Sequence, residues 1–149
     1  MGYIGGLLVY VVFPSYLAWA MFPLPAWARW IGAVLALTSL VLLGWVHWAL
    51  GRSFSTTIHV RERHTLVTRG PYRWVRHPMY TTLFLSGVGT LLLTANWVVG
   101  APMLAALCIL VARRVSHEEA LMIEQFGDEY RAYRRRTGRF MPRLTPQSG

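Results

Sequence analysis

The sequence contains no lysine and only six acidic residues, so all fifteen basic residues are arginines and the net charge is +9. Its single cysteine, Cys108, lies in an apolar run, which excludes an internal disulfide and a multi-cysteine metal site. The five histidines include no helical His-x-x-x-His pair, so no metal site is predicted. The arginines fill the gaps between apolar runs instead of one soluble face, which argues against nucleic-acid binding.

Apolar residues make up 54% of the chain and fall in long runs. Such runs predict an all-α integral membrane protein with about four transmembrane helices. The runs cover residues 3–22, 26–50, 79–94 and 97–126. Pro14 lies within the first and permits a kink there. The fourth run would form a helix about 45 Å long, so its end should project beyond a hydrocarbon core of about 30 Å.

The end of the chain predicts a separate short helix. Gly127 is expected to end the fourth helix, and Asp128 can cap a new one. Residues 129–136 then form an amphipathic helix, with Tyr130 and Tyr133 on one face. The tail after Pro142 should fray.

The arginines also predict an orientation. They are concentrated in the loop 51–77 and at the C-terminus, so both termini and that loop should be cytoplasmic. The chain is expected to form one membrane-embedded domain in a bacterial or archaeal cell membrane. It divides into helices 1 and 2, a polar loop, a helical hairpin with a cytoplasmic extension, and a C-terminal helix with its tail (1–50, 51–78, 79–126 and 127–149).

Within the loop, two β-branched stretches, 56–60 and 64–68, could pair as a hairpin or simply lie extended.

Two polar stretches carry the residues that suit chemistry. On the fourth helix Arg114 and Glu118 are four residues apart and share a face, with Glu119 adjacent. An ordinary helical ion pair or headgroup anchoring would explain them, but carboxylates near a membrane surface are costly unless paired or useful. His77 and Tyr80 flank the start of the third helix, where a capping histidine and interfacial aromatics are the simpler explanation.

Together, the two stretches provide a cationic, aromatic and acidic lining at one membrane face. Such a lining suits a zwitterionic cofactor with an aromatic base and a lipophilic substrate that enters between helices.

The two stretches also resemble a known family. The first is Gly70-Pro-Tyr-Arg-Trp-Val-Arg-His-Pro-Met-Tyr, and the second combines Glu118-Glu119 with Phe126-Gly-Asp-Glu-Tyr-Arg-Ala-Tyr. In this order they resemble the isoprenylcysteine carboxyl methyltransferases, which group with the membrane phospholipid methyltransferases. The resemblance covers about half of the chain, from His64 to Pro142.

This resemblance implies an S-adenosylmethionine-dependent membrane methyltransferase. The implied cofactor-binding residues are His64, Thr65, Leu66, Val67, Tyr72, His77, Pro78, Met79, Tyr80 and Glu118. The arginine matching Arg114 would lie at the substrate end, and the neighbouring Arg113 and Glu119 leave that register open by one residue. The implied catalytic residues are therefore Arg114, Glu118 and Glu119.

The methyl acceptor and the oligomeric state stay open. A carboxylate acceptor needs no general base, whereas for a phospholipid amine Glu118 or Glu119 would remove the proton. A small lipophilic thiol or acid is a further alternative. Outside enzymes, the chain could be a membrane adaptor whose arginines bind anionic lipid.

Overall fold

The computed structural model describes residues 2–51 and 66–143, with only the backbone of residues 2–4. Residues 1, 52–65 and 144–149 lie outside the described part, and with them most of the hairpin considered above. Four α-helices account for most of the described residues: α1 Gly2–Val12, α2 Ala26–Leu50, α3 Pro78–Thr94 and α4 Trp97–Arg136. Two 3₁₀ helices, Pro14–Ala20 and Gly70–Arg73, lie in the connections. In the described ranges the only β-type pairing is two isolated bridges.

The first apolar run is not one helix, contrary to the sequence-based expectation. The α-helix ends at Val12, and Pro14 begins a 3₁₀ helix of seven residues. Proline lacks the N–H that would continue the ladder and clashes with the preceding turn, whereas its fixed φ suits a first helical position. Pro14 therefore ends α1 instead of bending it.

Helices α2 and α3 pack through glycines. A Cβ placed on Gly32 would lie 2.8 Å from the carbonyl oxygen of Gly89, and one on Gly89 would lie 2.7 Å from the backbone nitrogen of Ala36. The backbones therefore approach too closely for any larger side chain, as is common between membrane helices. The opposite side of α2 exposes large apolar side chains such as Leu37 and Val41. A continuous apolar surface of this kind suits contact with lipid.

The turn between α3 and α4 is short because one residue reverses the chain. Ala95 adopts a left-handed conformation with φ 48°. The side chain of Asn96 then accepts hydrogen bonds from the backbone N–H groups of Val98 and Val99 and caps α4. Its amide nitrogen donates to the carbonyl of Leu17 at 2.7 Å, which ties the first 3₁₀ helix to this end of the molecule.

Helix α4 is longer than a bilayer requires. Its 40 residues correspond to roughly 60 Å of helix. Helices α2 and α4 are long and apolar enough to cross a membrane by length and composition, whereas α3 is apolar but has 17 residues. At Gly127 the backbone leaves the helical conformation (φ 51°, ψ −124°), which confirms the predicted break. The charged half of α4 thus extends past the apolar half and changes direction at Gly127.

The residues that follow α4 return to the segment before α3. Val75 and Gly138 form a parallel bridge, in which the Arg76 N–H donates to the Gly138 carbonyl at 2.8 Å. The His77 N–H donates to the Arg139 carbonyl at 3.0 Å, and the hydroxyl of Thr81 donates to the Phe140 carbonyl at 2.7 Å. This C-terminal segment, residues 137–143, therefore covers the start of α3.

We expect Gly138→Ala to loosen the C-terminal segment, because a Cβ at this position would overlap the carbonyl oxygen of Met141. Overpacking against backbone typically costs about 1–3 kcal/mol. Thermal unfolding in detergent measures the change. Gly44→Ala is the matched control, since a Cβ there meets nothing within 4 Å and alanine favours a helix interior over glycine. Equal stability of the two variants would contradict the placement of this segment.

Candidate functional site

A buried carboxylate holds three parts of the chain together. The side chain of Glu119, on α4, accepts hydrogen bonds from Arg76 Nε at 2.9 Å and from Arg139 Nη2 at 2.7 Å. His77 Nε2 lies 3.3 Å from the same carboxylate. Only 4% of the Glu119 side chain and 7% of the Arg76 side chain are exposed. The loop before α3, the middle of α4 and the C-terminal segment thus meet at Glu119.

Arg76 also donates to backbone carbonyls. Its Nη1 donates to the carbonyl oxygens of Arg134 and Thr137, at the end of α4. Nearby, the hydroxyl of Tyr133 donates to the Tyr72 carbonyl at 2.6 Å. These bonds fix the 3₁₀ helix Gly70–Arg73 and the end of α4 relative to each other.

Glu118 has different surroundings, although it is the next residue. Its Oε1 accepts a hydrogen bond from the Tyr80 hydroxyl at 2.9 Å and lies 3.3 Å from Arg114 Nε. Its Oε2 lies 3.8 Å from His77 Nδ1. A quarter of its side chain is exposed. Glu118 therefore offers a carboxylate oxygen to its surroundings, whereas both oxygens of Glu119 are bound by arginines, the buried Arg76 and the partly exposed Arg139.

The pKa shifts follow from this arrangement. Burial would raise the pKa of Glu119, but the hydrogen bonds and charges of Arg139 and Arg76 outweigh burial and lower it to about 2. Burial lowers the pKa of His77 despite the nearby Glu119 and Glu118 carboxylates. His77 is therefore neutral at pH 7. Burial has the opposite effect on the pKa of the Tyr72 hydroxyl, which it raises.

The neutral imidazole has a defined polarity. The carboxylate of Glu119 can only accept hydrogen bonds, so His77 Nε2 must carry the proton in that contact. The Nδ1 lone pair is then directed to the side of Glu118 Oε2, 3.8 Å away. Two acceptors that converge in this way suit a cation or another strong donor placed between them.

An apolar cavity of about 290 Å³ adjoins this polar centre. It lies between α3, α4 and the C-terminal segment, and Tyr80 belongs to both the cavity wall and the Glu118 cluster. The cavity lining consists of Tyr80, Thr81, Phe84, Leu107, Cys108, Val111, Phe140 and Met141. A lipophilic group in this cavity would therefore lie beside the carboxylate of Glu118.

The structure brings most sequence-predicted site residues together. His77, Tyr80, Arg114, Glu118 and Glu119 form one connected cluster, with Arg114 and Glu118 on one face as predicted. Pro78 is buried at the first position of α3, and Met79 follows it half-buried. Tyr72 is half-buried in the preceding 3₁₀ helix.

The remaining predicted residues lie around the gap in the described chain. Leu66 and Val67 are the first described residues after position 65, and both are half-buried. His64 and Thr65 lie outside the described residues. Among the described residues, no three His, Cys, Asp or Glu side chains are grouped so that they could hold a metal ion.

Sequence reasoning missed the arginines that bind Glu119 and the residues that close the cavity. Arg76 lies in the stretch Gly70–Tyr80 that the sequence singled out, but nothing in the sequence assigns Arg76 or Arg139 to Glu119 until the chain is folded. Phe140 and Met141 did carry a signal, because they are adjacent apolar residues in an arginine-rich tail. A return of the tail to the membrane surface would have explained them.

Comparison with known proteins supports a common ancestry. Protein-S-isoprenylcysteine O-methyltransferase of Schizosaccharomyces pombe is 35% identical over 94 residues, which cover 62% of this chain and 40% of that protein. The Homo sapiens protein of the same name is 35% identical over 81 residues, covering 54% of this chain and 28% of that protein. The chain thus spans well under half the length of either relative.

The fold has a counterpart among solved structures. A eukaryotic intramembrane Ras methyltransferase, ICMT, superimposes with a TM-score of 0.70 at 24% identity, over 95% of this chain and 49% of that chain. The architecture is therefore that of a helical membrane protein. The sequence model of the isoprenylcysteine carboxyl methyltransferase family matches residues 30–124, about two thirds of the chain. This chain accordingly belongs to the isoprenylcysteine carboxyl methyltransferase (ICMT) family.

Proposed function

We propose that this chain is an S-adenosylmethionine-dependent methyltransferase that acts on a lipophilic acceptor. The observation that carries the proposal is the position of Glu118. Its carboxylate lies among Arg114, Tyr80 and His77, directly beside an apolar cavity between two helices. Charged and apolar binding surfaces meet there. Transfer of a methyl group from a charged donor to a lipophilic acceptor requires both.

The residues fit the cofactor by their chemistry. S-adenosylmethionine supplies an electrophilic methyl group on a sulfonium, together with an ammonium group and an aromatic base. Glu118 Oε2 and His77 Nδ1 are acceptors for a cation. We assign cofactor binding to these two residues together with Tyr72, Pro78, Met79 and Tyr80. We extend the assignment to His64, Thr65, Leu66 and Val67, of which the first two lie outside the described residues.

Arg114 is assigned to the acceptor. Its guanidinium is held by Glu118 on one side and is about half exposed on the other, so it can also bind a carboxylate. The curated relatives are named for S-isoprenylcysteine, a lipophilic thioether that carries a carboxylate. We propose an acceptor of this class: its apolar chain lies in the cavity, and its carboxylate contacts Arg114.

Such a reaction needs positioning and little proton transfer. A carboxylate acceptor is ionised at pH 7, so its oxygen attacks the methyl carbon while the carbon–sulfur bond breaks and the electron pair remains on sulfur. The protein must hold the two reactants in line and exclude water. The cover of residues 137–143 over the start of α3 would serve that exclusion.

We further propose a topology of four spans in a single domain. Helices α2, α3 and α4 would each cross the membrane, and α1 with its 3₁₀ extension would form the first span. The arginine-rich end of the molecule, which carries Glu118 and both ends of the chain, would face the cytoplasm. A bacterial or archaeal cell membrane remains our prediction for the location.

Calorimetric titration of the detergent-purified protein with S-adenosylhomocysteine tests the proposal. We expect binding, and we expect His77→Ala and Tyr80→Phe to weaken it by roughly 3–10-fold each, the usual value of one hydrogen bond. His117→Ala is the matched control, because this histidine precedes Glu118 on α4 but is exposed and points about 100° away from it. Absence of binding heat in the wild type would favour the membrane adaptor instead.

Membranes supplied with methyl-labelled cofactor would then identify the acceptor class. We expect the label in a base-labile methyl ester of a lipophilic molecule. Label in a phospholipid headgroup would instead indicate amine methylation, with Glu118 or Glu119 as the base.

A further inference from the structure

A second cavity of about 360 Å³ lies at the C-terminal end of α4, and it is open and polar. Four arginines line it: Arg131, Arg134, Arg135 and Arg143. Residues 128–143 contain six arginines against two acidic residues, so this end of the molecule is strongly positive. We call the cavity the arginine groove.

The groove is shaped by contacts within the chain. Arg143 Nη1 donates to the carbonyl oxygen of Arg135 at 2.6 Å, which brings the end of the described chain back against α4. Arg131 pairs with Asp128 at 2.8 Å, and Arg134 lies 3.9 Å from the carboxylate of Glu119. In residues 2–51 and 66–143, no carboxylate lies within ion-pair distance of Arg135 or Arg143. Within the described ranges, these two guanidinium groups therefore have no carboxylate partner.

The position of the groove relative to the membrane can be argued from Met141, which lies two residues before Arg143 in the chain. Met141 has 77% of its surface exposed, yet it lines the wholly apolar cavity between α3 and α4. An exposed apolar residue beside an apolar cavity belongs at the edge of the hydrocarbon. Arg143 is two residues further on, so its Cα is at most about 7 Å from that of Met141. With Met141 at the edge of the hydrocarbon, the arginine groove would lie near the depth of the lipid headgroups.

We propose that the arginine groove binds the phosphate of an anionic membrane phospholipid. Guanidinium groups match phosphate oxygens in geometry and charge. Arg135 and Arg143 are exposed and have no carboxylate partner among the described residues, so an anion can approach both. A soluble phosphate could use the same donors. The exposed Met141 beside them favours a ligand that also carries acyl chains, and it is this argument that selects a lipid.

Bound lipid would hold the C-terminal segment against the bilayer. That segment also supplies Arg139 to Glu119 and the Phe140 carbonyl to Thr81. The inference does not depend on the proposed methyl transfer, because it uses no residue of the Glu118 cluster.

Native mass spectrometry of the detergent-purified full chain tests the groove. The probes are phosphatidylglycerol, which is anionic, phosphatidylcholine, which is zwitterionic, and glycerol phosphate, which has no acyl chains. We expect preferential retention of phosphatidylglycerol. The double substitution Arg135→Gln with Arg143→Gln should weaken its binding about five-fold for each arginine removed, the usual effect of one basic residue near a membrane surface.

The control removes equal charge elsewhere on the same face. Arg73 and Arg136 are exposed and stack on the rings of Trp74 and Tyr133, and neither lines the groove. The double substitution Arg73→Gln with Arg136→Gln should therefore leave phosphatidylglycerol binding within about two-fold of wild type.

Three results would overturn the proposal. The first is equal retention of the two lipids, and the second is equal weakening in the two double variants, which would indicate only non-specific charge attraction. The third is complete displacement of phosphatidylglycerol by glycerol phosphate at comparable concentration, which would indicate a site for soluble phosphate.

Discussion

Glu118→Gln is expected to lower kcat/KM for methyl transfer by at least about 10²-fold, the usual cost of misplacing reacting groups, with little change in stability. The substitution keeps the size of the side chain and an oxygen that can accept from Tyr80, but it removes the charge that pairs with Arg114 and faces His77. Because a quarter of the Glu118 side chain and about half of the Arg114 side chain are exposed, water can solvate the remaining groups, and we expect the variant to fold.

The second half of this prediction concerns Arg114. Arg114→Ala should reduce turnover to a similar extent but leave S-adenosylhomocysteine binding nearly unchanged, because Arg114 is assigned to the acceptor. Glu118→Gln should weaken both. Glu124→Gln is the control, since Glu124 is an exposed carboxylate on the same helix.

Kinetics with a saturating lipophilic acceptor, calorimetry and thermal unfolding separate these effects. Wild-type turnover in Glu118→Gln would remove the site assignment while leaving the fold intact. Loss of cofactor binding in Arg114→Ala would show that the two ends of the site had been assigned the wrong way round.

The sequence predicts the long elements well because their limits are set locally. Pro25 precedes α2 and Gly51 follows it, and the predicted range 26–50 coincides with the helix. Pro78 begins α3 because a first helical position needs no N–H. Gly127 interrupts α4 because only glycine adopts its backbone conformation without strain.

Elements that depend on packing were harder to predict. Pro14 marked the position of a break in the first apolar run, but a proline in a membrane helix can either bend it or end it, and which occurs depends on how neighbouring segments satisfy the freed backbone groups. Ala95 adopts a left-handed turn that nothing in its own chemistry favours. Its neighbours stabilise the turn, since the Phe22 N–H donates to the Ala95 carbonyl from a distant part of the chain.

The choice between Glu118 and Glu119 illustrates the same limit inside the site. Adjacent helical residues point about 100° apart, so one of two neighbouring carboxylates faces inward and the other does not. Which one does depends on how α4 is rotated against the loop before α3. The structure places Glu119 inward, against Arg76 and Arg139. The sequence could therefore identify the pair but could not assign the two roles.

These roles predict that Glu119→Gln has the largest effect on stability. The substitution leaves Arg76 buried without its charge partner, and breaking a buried ion pair from one side typically costs about 3–5 kcal/mol. In a chain of this size that loss corresponds to a fall in melting temperature of roughly 10 °C. Glu118→Gln, the adjacent and isosteric change, is the internal control and should melt close to the wild type.

The pH dependence of unfolding gives an independent readout of the same carboxylate. The pKa of Glu119 is about 2 in the folded protein, below the value of about 4.3 for an unfolded glutamate. Its contribution to stability is therefore complete above that unfolded value and is lost as the pH falls through about 2. The wild type should lose more stability than Glu119→Gln between pH 5 and 2, and detergent-based thermal scans across this range measure the difference. Parallel pH profiles for the two proteins, or equal melting temperatures at pH 7, would show that Glu119 does not hold the loop, α4 and the C-terminal segment together.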